Sequence, residues 1–223
     1  MTAKEFIETL KIISQEYLGD IPKREIFSLA KEYQHIPVLE VVKLLKDENC
    51  NHRLGAVSIL DWKARNSKTT AKEKEEMFRA DIDNHKWIDD WGLVDRAAPY
   101  VVGGYLYDKD KKTLYDLAKS KYPMERRTAI VSTYYFIRKN KIEDTFNIAE
   151  ILINDPDDYV QKAVGSWVRE AGKRNEEKLT NFLNKHATKM PRITLRYAIE
   201  KLDKEKREHY MNLKMKKSEG NNL

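Results

Sequence analysis

The sequence predicts an all-α fold built from stacked helix pairs. Three observations point to it: helical periodicity along the chain, few turn-forming residues, and a basic-then-apolar signature that recurs at a spacing suited to a helix pair. Val38, Val41, Val42 and Leu45 sit at i, i+3, i+4 and i+7. Leu179, Phe182, Leu183 and His186 repeat that spacing, and Ile142, Phe146, Ala149 and Ile153 nearly do. Each set draws one apolar stripe along a helix, and no alternating strand pattern competes with them. With 8 Gly and 6 Pro in 223 residues, a many-stranded β fold would lack its turns. Hydrophobic residues at 41% are enough for a sizeable core.

Helix boundaries are marked in the same way. Asp155-Pro156-Asp157-Asp158 offers a capping Asp155, a proline in the first helical position and acids in the first turn. Asn175-Glu176-Glu177 opens another helix, and Pro123 and Pro191 each precede an amphipathic run. Gly19, Gly103-Gly104 and Gly172 fall where helices end or approach closely. The expected total is about twelve helices of roughly 10–18 residues.

Five segments carry the recurring signature: Arg53-Leu54-Gly55-Ala56-Val57, Arg96-Ala97-Ala98, Arg127-Thr128-Ala129-Ile130-Val131, Lys162-Ala163-Val164-Gly165 and Arg196-Tyr197-Ala198-Ile199. Their leading residues are 43, 31, 35 and 34 positions apart. That period fits a HEAT-like helical-repeat solenoid, an α-α superhelix in which one helix of each pair lines the concave side. A single repeat domain is expected over 1–212, with a flexible basic tail over 213–223 carrying Lys214, Lys216 and Lys217. Arg53, Arg96, Arg127, Lys162 and Arg196 would then form a row of cations able to cradle duplex DNA. The competing reading is that they pair internally with the chain's many acids.

The net charge of +6 and pI near 9.1 suit a nucleic-acid partner, but ordinary soluble proteins share them. A lone cysteine, Cys50, excludes an internal disulfide framework and a Cys-rich zinc site, and it is expected to pack in the core. The N-terminal segment lacks a signal-peptide apolar region, and no run of 18 apolar residues occurs. These features point to a reducing, cytoplasmic setting. His35, His52, His85, His186 and His209 show no metal-ligand spacing, Gly103-Gly104 is not a phosphate-binding loop, and no nucleophile elbow is present. Neither metal nor cofactor is expected.

The stretch Trp87 to Asp95 carries the most chemistry. Asp89 or Asp90 would cap a helix, leaving Trp91 and Asp95 four residues apart on one face. A ring face attracts positive charge and a carboxylate stabilises it, so the pair suits a substrate that becomes cationic. The plainer reading packs Trp91 in the core and pairs Asp95 with a nearby arginine.

Four segments in order carry a resemblance: Trp91-Gly92-Leu93-Val94-Asp95, Glu125-Arg126-Arg127-Thr128-Ala129-Ile130, Lys162-Ala163-Val164-Gly165 followed by Arg169-Glu170, and Arg192 to Ile199. From about Glu25 to Tyr210 the chain resembles the DNA alkylation repair (AlkD-like) family. The resemblance implies a HEAT-like solenoid and a glycosylase that hydrolyses the glycosidic bond of N3- and N7-alkylated purines. It also implies a tryptophan, an aspartate four residues later, an arginine in the next repeat and a second tryptophan beyond. Trp91, Asp95 and Arg127 match the first three. The second tryptophan should directly follow the Lys162–Gly165 run, but Ser166 stands there and Trp167 comes one later. One helical step turns a side chain by about 100°, so Trp167 points elsewhere unless a bulge restores it. By this resemblance Asp95 stabilises an oxocarbenium-like sugar, Trp91 and Trp167 pack on the deoxyribose, and Arg127 holds a flanking phosphate. Ser166, Arg53, Arg96, Arg126, Lys162 and Arg196 are the further expected DNA contacts.

Three functions remain open at this level. One is a monomeric glycosylase acting on alkylated duplex DNA. The second is a non-catalytic binder of distorted or branched DNA, motivated by the displaced Trp167. The third is a protein-interaction scaffold, a common use of such arrays.

Overall fold

The computed structural model describes residues 1–213, and among these the regular secondary structure is entirely helical. Of the tail expected at 213–223 only Leu213 is included; Lys214, Lys216 and Lys217 lie outside the described residues. The chain divides into two compact units, Met1–Lys109 and a second beginning at Asp110. Each is a stack of helix pairs of the expected HEAT type.

The first unit contains α1 (Ala3–Glu16), α2 (Lys23–Glu32), α3 (Val38–Leu45), α4 (Cys50–Arg65) and α5 (Ala71–Asp83). A short turn of 3-10 helix, His85–Trp87, leads to α6 (Trp91–Ala97), a π-helical segment (Ala98–Gly103) and α7 (Gly104–Leu106). Helices α2, α4 and α6 lie side by side, with α3 and α5 packed behind them. Capping boxes start α1 at Thr2/Glu5 and α5 at Thr70/Glu73, satisfying backbone donors at both helix starts. Phe6 of α1 sits over Gly55 of α4, where an added Cβ would fall 2.4 Å from the ring. Only glycine allows that approach.

The second unit contains α8 (Lys112–Leu117), α9 (Pro123–Arg138), α10 (Glu143–Ile151), α11 (Asp158–Gly172), α12 (Glu176–His186), α13 (Arg192–Ile199) and α14 (Lys204–Asn212). Helices α9, α11 and α13 form one layer; α8, α10, α12 and α14 pack behind it. Helices α11 and α13 approach backbone to backbone, where a Cβ on Gly165 would meet the Thr194 carbonyl oxygen at 2.5 Å and Tyr197 Cβ at 2.6 Å.

The layering explains the sequence pattern. The stripes legible in the sequence mark flanking-layer helices α3, α10 and α12, each packed on one side only. Helices α4 and α9 are enclosed by neighbours and buried nearly all round, from Leu54 to Asp61 and from Arg127 to Thr133.

Three local expectations are corrected. Cys50 is exposed, because it is the first residue of α4, directly after the Asn49 cap. The helix expected to start at Asp155 starts at Asp158 with Asp157 as its cap; Asp155 instead faces Arg126, and Pro156 lies in the loop. Helices α3, α6, α7, α8, α10, α13 and α14 are shorter than the expected length, with 8, 7, 3, 6, 9, 8 and 9 residues.

Candidate functional site

Asp90 caps α6 by accepting the Gly92 amide at 2.7 Å. This fixes Trp91 as the first helical residue, 39% exposed, with half-buried Asp95 one turn further on. The two therefore share a face, as the spacing predicts. The Trp91 ring already attracts a cation, since Lys23 Nζ at the start of α2 lies 5.4 Å from its centroid.

Asp95 also stands where the helix changes type. Pro99 has no N–H to return to the Asp95 carbonyl, and its ring crowds that position. The backbone widens, and the Gly104 amide reaches back five residues to the Pro99 carbonyl, a π-type bond. Such turns recur at functional sites.

Arg96, the next residue, points into the unit. Its guanidinium stacks over Phe27 at 4.5 Å and Trp62 at 5.3 Å, and its Nε donates to Ser58 Oγ at 3.3 Å. Its Nη2 lies 3.2 Å from Oδ2 of Asp61, which is fully buried. The contact is an ion pair rather than an aligned hydrogen bond, and neither atom has a hydrogen-bond partner. Asp61 Oδ1 accepts from Arg65 Nε at 2.8 Å, and Arg65 stacks on Tyr100 at 3.8 Å. Burial pushes the Asp61 carboxyl up, against the opposing pull of Arg65 and Arg96. Arg53 of α4 bonds to the carbonyls of Asp47 and Glu48 and to Asp89 at 3.2 Å, tying the loop before α4 to the loop before α6.

In the second unit the recurring cations fall into strict register. Arg127, Lys162 and Arg196 are each the fifth residue of their helix, in α9, α11 and α13. Their surroundings differ. Arg127 is 7% exposed and donates to the Tyr159 carbonyl in the first turn of α11. Lys162 is half-buried, with Nζ 5.3 Å from the centroid of the exposed Tyr159 ring. Arg196 is exposed beside exposed Tyr197. Arg126 forms a bidentate pair with Asp155, whose side chain is almost fully covered, with Nη2 to Oδ1 at 2.9 Å, and also donates to the Ser120 carbonyl.

Helix α11 is regular from Asp158 to Gly172, so no bulge shifts Trp167. Its half-buried ring packs on Ile137, Ile142 and Ala171 beside Phe146, with the Tyr134 ring 5.0 Å away. Ser166 is half-buried next to Gly165.

Sequence reading missed Lys23, Asp61, Trp62 and Tyr100. Each lies far along the chain from its partner or on a helix without a stripe, so no local pattern marks it. Among the described residues no group of His, Cys, Asp and Glu is placed to hold a metal ion, and no helix is long and apolar enough to cross a membrane.

No curated protein matches the chain. A family model described as DNA alkylation repair enzyme matches residues 2–202. The repeated helix pairs, the tryptophan–aspartate turn at the head of α6 and that match over nearly the whole chain agree: this chain belongs to the DNA alkylation repair enzyme family, and DNA is the substrate that membership implies.

Proposed function

We propose that this protein is a DNA glycosylase that releases N3- and N7-alkylated purines from duplex DNA, acting as a monomer without metal or cofactor. The observation that carries the reading is the exposed Trp91 ring with the Asp95 carboxylate one turn away on the same face of α6. An alkylated purine is positively charged. When its glycosidic bond breaks, the bonding electron pair leaves with the base and neutralises it, while the sugar becomes oxocarbenium-like. Asp95 stabilises that developing charge, and water then adds to the sugar carbon and gives its proton through Asp95 to solvent. Trp91 packs against the deoxyribose, its ring face attractive to cations as the nearby Lys23 illustrates.

In the second unit Arg127, Lys162 and Arg196 are the proposed phosphate ligands, with Ser166 and Trp167 as the flanking DNA contacts. Arg53, Arg96 and Arg126 enter as groups that hold α4, α6 and α9 in place through Asp89, Asp61 and Asp155.

The test is release of free 3- or 7-methylpurine from methylated duplex DNA. Wild type releases base well above the uncatalysed rate, and Asp95→Asn lowers single-turnover release by about 10²–10³-fold while binding the duplex as before. Full activity in Asp95→Asn removes the assigned roles; binding without release removes the enzyme reading. One observation favours the latter: Trp167 is packed on the Ile137, Ile142 and Ala171 cluster. The corresponding second reading is a non-excising DNA binder, recognised by salt-sensitive affinity for distorted duplexes and no free base.

A further inference from the structure

The helical run that carries Trp91 and Asp95 is weakly built by itself. Helix α6 has seven residues, its first residue Trp91 is exposed, and it passes directly into a π-helical segment whose backbone bonding is interrupted at Pro99. A helix this short does not hold its own orientation and depends on what it packs against.

What it packs against is organised around one buried carboxylate. Asp61, in the middle of α4, faces two arginines. One of them, Arg96, belongs to α6 itself and immediately follows Asp95; its guanidinium lies over the rings of Phe27 on α2 and Trp62 on α4. Trp62 is fixed in turn, its Nε1 donating to the Phe27 carbonyl at 3.2 Å. The other, Arg65, stacks on Tyr100, which lies in the π-helical segment. One side of the carboxylate therefore secures the helix before Pro99 and the other side secures the segment after it. The Arg96 contact is held by charge rather than by an aligned hydrogen bond, so a neutral side chain at position 61 would not replace it. A planar guanidinium also matches both the carboxylate and the aromatic faces, which an ammonium cannot do equally well.

We propose that Asp61 is a positioning residue for base release: through Arg96 and Arg65 it sets the orientation in which α6 presents Trp91 and Asp95 to DNA. Asp61 touches no substrate and acts only through the two arginines. The inference rests on the glycosylase reading for its kinetic consequence, but its structural consequence can be measured without catalysis.

The experiment uses the full chain with Asp61→Asn, Arg96→Gln and Arg96→Lys, with folding checked by circular dichroism. Two quantities are read: single-turnover base release against affinity for methylated duplex DNA, and the ¹⁵N–¹H cross-peaks of the tryptophan indoles, that of Trp91 assigned with Trp91→Phe. Asp61→Asn and Arg96→Gln are expected to slow release by about tenfold or more, as small misplacements of a reacting group do, with duplex affinity unchanged within about twofold. Both move the Trp91 indole signal and leave that of Trp167 in place. Arg96→Lys, which keeps the charge but loses the planar stack, falls between wild type and Arg96→Gln in both readouts. Folded Asp61→Asn and Arg96→Gln proteins with wild-type release and an unmoved Trp91 signal overturn the proposal, as does an equal loss of affinity and rate. If Asp61→Asn fails to fold, Arg96→Gln decides; if neither folds, the cluster is purely structural and the proposal falls. Absence of base release by wild type sinks the glycosylase reading, while the indole signals still report whether Asp61 orients α6.

Discussion

The two units handle buried polar groups differently. In the first, charge is taken deep inside. Asp61 is buried with two arginines, and Asp81 on α5 is buried with one carboxylate oxygen unpartnered. In the second, the contact between α11 and α13 is stitched by neutral groups, Thr194 donating to Gln161, whose amide in turn donates to the Asp155 carbonyl in the loop before α11, while the half-buried ion pair Arg126–Asp155 joins α9 to that loop. The recurring basic residue follows the same division. Among the described residues Lys162 and Arg196 make no ion pair, whereas Arg53 and Arg96 are paired with Asp89 and Asp61. One sequence signature thus yields an internal strut or an available surface cation, depending on whether a carboxylate stands opposite. Arg127, buried against a backbone carbonyl, shows a third outcome.

This comparison can be broken at several points, beginning with the largest expected effect. Arg126→Ala removes the cation from the Asp155 carboxylate, whose side chain is 2% exposed and keeps only the Asp157 amide, and should cost about 3–5 kcal/mol in urea denaturation. A loss below about 1 kcal/mol would mean that this pair is an ordinary surface bridge.

Asp81 gives the contrasting effect in the first unit. Burial alone raises its carboxyl to about 7 from the ordinary 3.8. Between those values the folded state keeps a proton that the unfolded chain has lost. The associated stability is therefore full below about pH 4 and is lost as pH rises to 7. Asp81→Asn should flatten that part of the stability-pH curve and be more stable than wild type at pH 8, by roughly 4 kcal/mol. Equal slopes for the two proteins between pH 4 and 7 would show that Asp81 ionises as an exposed carboxylate does.

Next in size is Gly165→Ala. Its added methyl group would press on the Thr194 carbonyl and on Tyr197 Cβ, so the α11–α13 contact must open. A loss of about 1–3 kcal/mol is expected, read as a lower midpoint of thermal unfolding. An unchanged midpoint would show that this interface has room to spare.

The smallest effect on stability is expected from the double variant Lys162→Ala and Arg196→Ala, within about 0.5 kcal/mol. Its signature is instead in DNA binding. If each side chain meets one phosphate, the slope of log affinity against log salt becomes shallower by about 2. An unchanged slope would leave these residues as cations without a role in binding.

Much of the fold was legible because a helix packed on one side must carry one apolar stripe; α3, α10 and α12 do so. Helices enclosed on several sides carry no such stripe, and α4 and α9 were recognisable only through the repeated signature. The cap at Asp90 and the Trp91–Asp95 turn were local enough to follow from spacing. The cap expected at Asp155 was misplaced because a distant arginine, Arg126, takes that carboxylate. Cys50 was placed inside because periodicity ignores how close a residue lies to a helix end.

The sequence by itself determined the helices, their pairing period, the family resemblance and the tryptophan–aspartate turn, since all of these rest on short-range spacing. Only the tertiary structure decided which repeated cations are consumed internally, where Trp167 packs, and that Asp61 braces the helix carrying Asp95. An ion pair forms between groups that folding brings within a few ångströms, and a partner as far along the chain as Asp89 is from Arg53 leaves no mark on the local pattern.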